Sequence, residues 1–229
     1  MLAAFHVTAR RKLGLGEVVR ETGCENKGAV LSMAVTLKKF SADRLDDCVS
    51  LLAEAFVQNP LHRSAFGANR LDQNRAFFRI GLRHMFIGRS FMALDDSDDI
   101  PCGYMHFNAW PNCLPAPEEL PYAVATQLQP LGEALPQVIR WFGRWCHLDP
   151  AKPHIHLGPI GVAPERQRQG VGTALMRCYV EHLEREKAAG YLETDREENV
   201  EFYKKFGFLL LRAEELIGTQ VWYMWRPEA

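Results

Sequence analysis

No pair of cysteines in this 229-residue chain is spaced C-x-x-C, although six are present, at positions 24, 48, 102, 113, 146 and 178. Scattered in this way they make no disulfide framework and read as free thiols in a reducing compartment. No apolar run approaches the roughly 18–20 residues that a membrane span needs. Charge of one sign is missing too: the formal net charge is −1, so bulk charge draws in neither nucleic acid nor an anionic membrane. Internal repeats and low-complexity tracts are absent. What is there is an ordinary globular mix, 47% hydrophobic and 24% charged, long enough to bury a core in one domain.

The first 33 residues differ from the rest. Residues 1–16 carry Arg10, Arg11 and Lys12 but no acid, a feature shared with organelle transit peptides, and Glu17, Glu21 and Glu25 then break that pattern. Without a signal-peptide core, residues 1–33 read as a loosely structured N-terminal extension. The protein is expected to be cytoplasmic, with one domain over 34–229.

Apolar periodicity places the elements. A first strand is expected over Ala34 to Phe40, then a helix capped by Ser41 and running to Phe56, which Asn59-Pro60 ends. A second helix is expected over Leu71 to Ile87. Strands at Ser90 to Leu94 and Cys102 to Asn108 flank an acidic turn, Asp95 to Asp99. Residues 109–153 are Pro-rich and then helical through Trp141 and Trp145. A strand follows over His154 to Val162, and a helix over Gly170 to Ala189 with Gly190 as its stop. A strand at Tyr191 to Thr194, a helix at Asn199 to Phe206, and a pair at Phe208 to Leu211 and Gln220 to Trp225 finish the chain. The class is α/β, mixed, around one twisted sheet.

The stretch PERQRQGVGTALM, Pro164 to Met176, puts two glycines at a helix start, where glycine is a poor choice unless the chain turns sharply or lies close against something. Helix N-termini offer unpaired N–H groups and partial positive charge, which suit phosphate. Gly170 and Gly172 remove the Cβ atoms that would hold an anion away, and Arg168 adds charge. A P-loop would need Gly-Lys-Ser/Thr, but Thr173-Ala174 follow Gly172. A dinucleotide fingerprint would need glycine where Leu175 stands, although Glu193 lies about twenty residues on.

Gln167-Arg168-Gln169-Gly170-Val171-Gly172 resembles the Q/R-x-x-G-x-G/A signature of the GNAT superfamily of acetyl-CoA-dependent N-acetyltransferases. HLGPIGVAPERQ is similar to that family's fourth strand and its following loop, and ENVEFYKKFGF to its asparagine-tyrosine-glycine stretch. The three pieces keep the family's order over about residues 154–208. LETDREENVEFYKKFGF and VWYMWRPEA look most like the branch containing puromycin N-acetyltransferase.

The resemblance implies a GNAT fold, with a splay between the fourth and fifth strands that takes the pantetheine arm of acetyl-CoA. Ile160, Gly161 and Val162 would line that arm. Pro159 cannot donate to a ladder, so this strand is expected to be bulged or incompletely paired. Backbone N–H groups from about Arg168 to Thr173 would hold the pyrophosphate, and Gln167, Gln169 and Val171 belong to the same loop. Asn199 would contact the pantetheine.

Amine acetylation needs a base for the ammonium proton, an acid for the departing thiolate, and a donor for the oxyanion, here a backbone N–H near Ile160. Tyr203 matches the family's acid, with Asn199 four residues before it on the same helix face. His156 is the candidate base. It falls where several family members carry a glutamate, and it matches the first histidine of the His-x-His of arylalkylamine acetyltransferases, with Gly158 in place of the second. His154 shares its strand face. The two histidines could chelate zinc, but without a third nearby cysteine, aspartate or glutamate ligand no metal is expected.

Aromatic residues Phe56, Phe66, Trp110, Trp141, Trp145 and Trp222 are candidates for the acceptor pocket. The expected acceptor is a small-molecule amine, with no nucleic acid or membrane partner and a monomer or homodimer as the unit. The competing readings are acetylation of a protein N-terminus or lysine, and a non-catalytic coenzyme A-binding module.

Overall fold

Apolar side chains alternate between two sides of a sheet. On the seventh strand Val221, Tyr223 and Trp225 join one core cluster and Met224 the other, the period-2 pattern of a strand buried on both faces. The computed structural model describes residues 35–86, 89–97, 99–114 and 124–228. The extension expected over 1–33 lies outside them, as do Ala34 and Ile87.

The strands are β1 (Val35–Lys39), β2 (Arg89–Asp95), β3 (Pro101–Ala109), β4 (Ile155–Val162), β5 (Gly190–Thr194), β6 (Leu209–Leu216) and β7 (Thr219–Arg226). They form one seven-stranded sheet in the order β1-β2-β3-β4-β5-β7-β6. β4 and β5 are parallel, and the other neighbouring pairs are antiparallel.

Helices α1 (Leu45–Phe56), α2 (Pro60–Phe66), α3 (Leu71–Ile80) and α4 (Leu135–Leu148) bury one face of the sheet. Helices α5 (Val171–Glu186) and α6 (Glu197–Lys204) bury the other. Three sequence expectations are corrected. Pro60 does not simply end α1: it opens α2 as its first residue, where a missing N–H costs nothing. Gly190 is not the stop of α5 but the first residue of β5, and the helix ends on Lys187 in a left-handed conformation (φ 49°). Helix α3 also stops at Ile80, seven residues short of the expected end, and a wider turn continues over Gly81–Met85.

The α/β class is as expected, and so is the splay. β4 pairs with β5 only from Ile155 to Leu157, opposite Gly190 to Leu192. Beyond Leu157 the two strands part, while β4 still pairs with β3 after a register shift that leaves Gly158 and Pro159 bulged opposite His106. The edge of β4 that faces β5 is therefore open from Gly158 to Val162. α1 lies against this stretch: a Cβ on Gly161 would come within 2.8 Å of Leu52 and 3.0 Å of Phe56.

Candidate active site

A cavity of about 90 Å³ opens where β4 and β5 part. β4 contributes Leu157, Gly158 and Ile160, and β5 contributes Leu192, Glu193 and Thr194, with Asp195 just beyond. Asn199 and Tyr203 reach it from α6, and Phe56, Leu61, His62, Trp141 and Trp145 close the remaining side. Of the aromatic residues proposed from sequence, Phe56, Trp141 and Trp145 line this cavity. Phe66 packs in the core against Phe77, Trp222 packs with the cluster under α5, and Trp110 is 41% exposed beside a different cavity.

Three buried polar atoms of the cavity-lining residues have no hydrogen-bond partner among the described residues: Trp141 Nε1, Trp145 Nε1 and Glu193 Oε1. Buried polar groups are seldom left this way without a role. His62 is neutral here. Burial lowers its pKa to about 4, against a hydrogen bond with Asn74, and aromatic rings surround it.

Tyr203 is buried and on the cavity wall, with Asn199 beside it, as the four-residue spacing implied. Burial, and then the charge of Asp195, raise the Tyr203 pKa, so its hydroxyl stays protonated. The Asn199 side-chain amide donates to Thr194 Oγ1 (3.2 Å). Asp195, missed in the sequence, accepts from the Leu61 amide (2.8 Å) and from Asn59 (3.3 Å), and so ties the start of α2 to the end of β5. Burial raises its carboxyl above the ordinary value.

His156 is held on both ring nitrogens. Nδ1 lies 3.0 Å from Asp149 Oδ1, and Nε2 donates to Glu193 Oε2 at 2.7 Å. Burial opposes charge on this ring, but the Glu193 charge and the hydrogen bond to Asp149 outweigh it and raise the pKa well above the ordinary value. The ring lines a second, smaller cavity with Cys113 rather than the one at the splay, whose wall includes its partner Glu193. His154 sits two residues back on the same face and shares Asp149. Burial lowers its pKa, but hydrogen bonds to Asp149 and Cys113 bring it up to about 9. Cys113 and Asp149 had no sequence signal, being 41 and 5 residues from His154 with no motif joining them.

The glycine loop turns as its sequence suggested. Arg168 (φ 60°) and Gly170 (φ 93°) are left-handed, and Gly170 caps α5. The two glycines have different reasons. Gly170 is required by its backbone angle. At Gly172 the nearest atoms to a Cβ would be Val162 at 3.7 Å and Phe202 at 3.9 Å, ordinary contacts, so nothing inside the chain forbids a side chain there. The Gln167 side chain donates to the Val162 carbonyl (3.1 Å) and Gln169 to that of Glu165 (2.7 Å), bracing the loop. Val171 is buried under the sheet and Thr173 stands in the first turn of α5.

Residues 59–208 match the Acetyltransferase (GNAT) family. The fold is similar to that of a histone acetyltransferase HPA2 and related acetyltransferase from Corynebacterium glutamicum (TM-score 0.65, 19% identity, covering 86% of this chain and 98% of that one). Arylalkylamine N-acetyltransferase 2 from Aedes aegypti is also similar (TM-score 0.58, 11% identity, 85% and 99%). So is yncA from Salmonella typhimurium, solved with its cofactor acetyl-CoA (TM-score 0.50, 10% identity, 86% and 95%). With the family's match running from Asn59 to Phe208, through the splayed β4–β5 pair and the glycine loop, this chain belongs to the GNAT family of acetyltransferases.

Proposed function

We propose that the protein transfers an acetyl group from acetyl-CoA to an amine at the β4–β5 splay, with Tyr203 as acid and the His156–Glu193 pair as the proton-accepting unit. One observation carries this reading: a protonated, buried tyrosine and a carboxylate oxygen without a partner among the described residues line the same small cavity beside an open strand edge.

Acetyl-CoA, when bound, supplies the acetyl thioester. The open edge of β4 from Gly158 to Val162 offers backbone groups to its pantetheine arm, and the backbone from Arg168 to Thr173 offers N–H groups to its pyrophosphate. The space over Gly172 that no chain atom requires supports that use. Glu193 takes a proton from the acceptor's ammonium through Oε1, which leaves the neutral amine free to attack, while His156 donates to Oε2 and fixes the carboxylate. Tyr203 gives its proton to the sulfur as the C–S bond breaks, and a backbone N–H near Ile160 steadies the oxyanion.

A protein amine is the first acceptor to test, on the name of the Corynebacterium relative, a histone acetyltransferase. A small aromatic amine is the second. It is supported by Phe56, Trp141 and Trp145 around the cavity, by the name of the Aedes relative, and by the likeness of the C-terminal stretches to the puromycin acetyltransferase branch. Thiol release from acetyl-CoA, followed against peptides with free N-termini or lysines and against an amine library, tests both. Release with neither set would remove the acetyltransferase reading, and preference for one set identifies the acceptor class.

A further inference from the structure

Cys113, Asp149, His154 and His156 converge from three separate segments: the loop after β3, the end of α4, and the start of β4. One ligand atom from each lies within 4.8 Å of all the others. Three of the separations are hydrogen-bond or ion-pair distances. Cys113 Sγ is 3.4 Å from His154 Nε2, Asp149 Oδ1 is 3.4 Å from the same nitrogen, and Asp149 Oδ1 is 3.0 Å from His156 Nδ1. Zinc–ligand bonds of 2.0–2.3 Å in a tetrahedron put neighbouring ligand atoms about 3.2–3.6 Å apart. Those three separations are already close to that spacing, and the others lie within 4.8 Å.

We propose that these four side chains form a zinc-binding site, with Cys113 Sγ, Asp149 Oδ1, His154 Nε2 and His156 Nδ1 as ligands.

The ring nitrogens turned away from the cluster give the strongest support. A metal-bound histidine almost always donates its second N–H to a carbonyl or carboxylate, which fixes tautomer and ring plane. His154 Nδ1 lies 2.8 Å from the Lys152 carbonyl, and His156 Nε2 lies 2.7 Å from the Glu193 carboxylate. Both acceptors can only receive, so both rings must carry their proton on the outward nitrogen. The inward nitrogens, Nε2 of one and Nδ1 of the other, are then the ones turned toward Cys113 and Asp149, where a cation would take the place of any proton they share.

Charge agrees. A thiolate and a carboxylate neutralise a divalent ion, which removes the cost of burying it. The side chains of His154 and His156 are 0% and 7% exposed and that of Asp149 is 15%, so an ion held among them would be shielded from water. Asp149 also directly follows the last turn of α4, where the helix's partial negative charge makes an acid unfavourable unless a cation sits beside it. A mixed sulfur, nitrogen and oxygen set of this kind suits zinc rather than magnesium or calcium. Four protein ligands make a closed, structural site, and the small cavity lined by Cys113 and His156 is a way in.

Such an ion would staple the loop after β3 and the end of α4 to the first residues of β4. Through His156 Nε2 it would also hold Glu193, on the wall of the cavity at the splay. The proposal does not rest on acetyl transfer, because its readout is metal bound to the full chain without acetyl-CoA.

The experiment uses the untagged full-length chain, stripped with a chelator and then dialysed against zinc. Elemental analysis should find about one zinc per chain, and zinc should raise the melting temperature, as a ligand of the native state must. Cobalt in its place should give the visible bands of a tetrahedral ion and a near-ultraviolet thiolate band. Cys113→Ser should lose the thiolate band, His154→Ala should lose the bound zinc, and Cys178→Ser, on α5, should behave as the parent does. Glu193→Gln leaves all four ligands in place and should weaken zinc about 10–100-fold. Should His154→Ala fail to fold, Cys113→Ser and Glu193→Gln still decide the matter. A parent chain that keeps no zinc and melts at the same temperature with and without it overturns the site. So does a thiolate band that persists in Cys113→Ser.

Discussion

Glu193 and His156 meet across the parallel β4–β5 pair with Glu193 Oε2 2.7 Å from His156 Nε2, while the other carboxylate oxygen stays without a partner among the described residues. The two are 37 residues apart. The contact exists because β4 and β5 stay in register through Leu157 and Leu192 and part after that pair, which leaves Glu193 at the mouth of the splay.

Glu193→Gln keeps the shape of that side chain and removes its basicity. Turnover should fall by about 10²–10⁴-fold, the usual range for loss of a general base. Acetyl-CoA binding, measured by the rise in melting temperature, should stay near that of the parent. Full turnover in the variant would move the proton to water or to Asp195.

Tyr203→Phe deletes one hydroxyl from a buried ring, so folding and acetyl-CoA affinity should change little. Steady-state turnover should drop roughly tenfold or more, consistent with acid assistance to the leaving thiolate. If single-turnover acetyl transfer keeps the parent rate, Tyr203 is a packing residue.

The two loop glycines should fail differently. Gly172→Val should abolish stabilisation by acetyl-CoA and leave the unliganded melting temperature close to the parent's, since a Cβ there meets only ordinary contacts. Gly170→Val should lower the unliganded melting temperature as well, because φ 93° costs a residue with a side chain about 1–2 kcal/mol. Equal losses of intrinsic stability would show that Gly172 is needed by the fold itself.

Glu214 supplies a pH-dependent term. It receives both nitrogens of an Arg144 fork (2.8 and 2.7 Å) and the Tyr223 hydroxyl (2.9 Å), joining α4 to β6 and β7. The Arg144 hydrogen bonds lower its pKa from 4.5 to about 2. A carboxyl depressed in the folded state stabilises the fold fully above its unfolded value and loses that contribution as pH falls through the folded one. Glu214→Gln should therefore melt lower than the parent at pH 7, with the gap closing between about pH 4.5 and pH 2. A gap of constant size across that range would assign the loss to packing.

Local chemistry made some of the protein legible in advance. The glycine loop, the helix it opens, the bulge at Pro159 and the Asn199–Tyr203 face are properties of neighbouring residues and could be read from sequence, and the resemblance those motifs carry implied the GNAT fold and the splay. Pro60 misled because a proline both ends one helix and begins another, and only packing of Leu61 and Phe66 against the core selects the second use. The surroundings of the site belong to tertiary structure alone. Cys113, Asp149 and Glu193 are ordinary residues in three unrelated segments, and no local pattern marks a thiol or a carboxylate that will later face a histidine. Sheet register brings Glu193 to one nitrogen of His156, and the end of α4 brings Asp149 to the other. Periodicity decides which residues a strand buries; which buried groups then touch depends on how distant segments cross, and that is fixed only when the chain closes on itself.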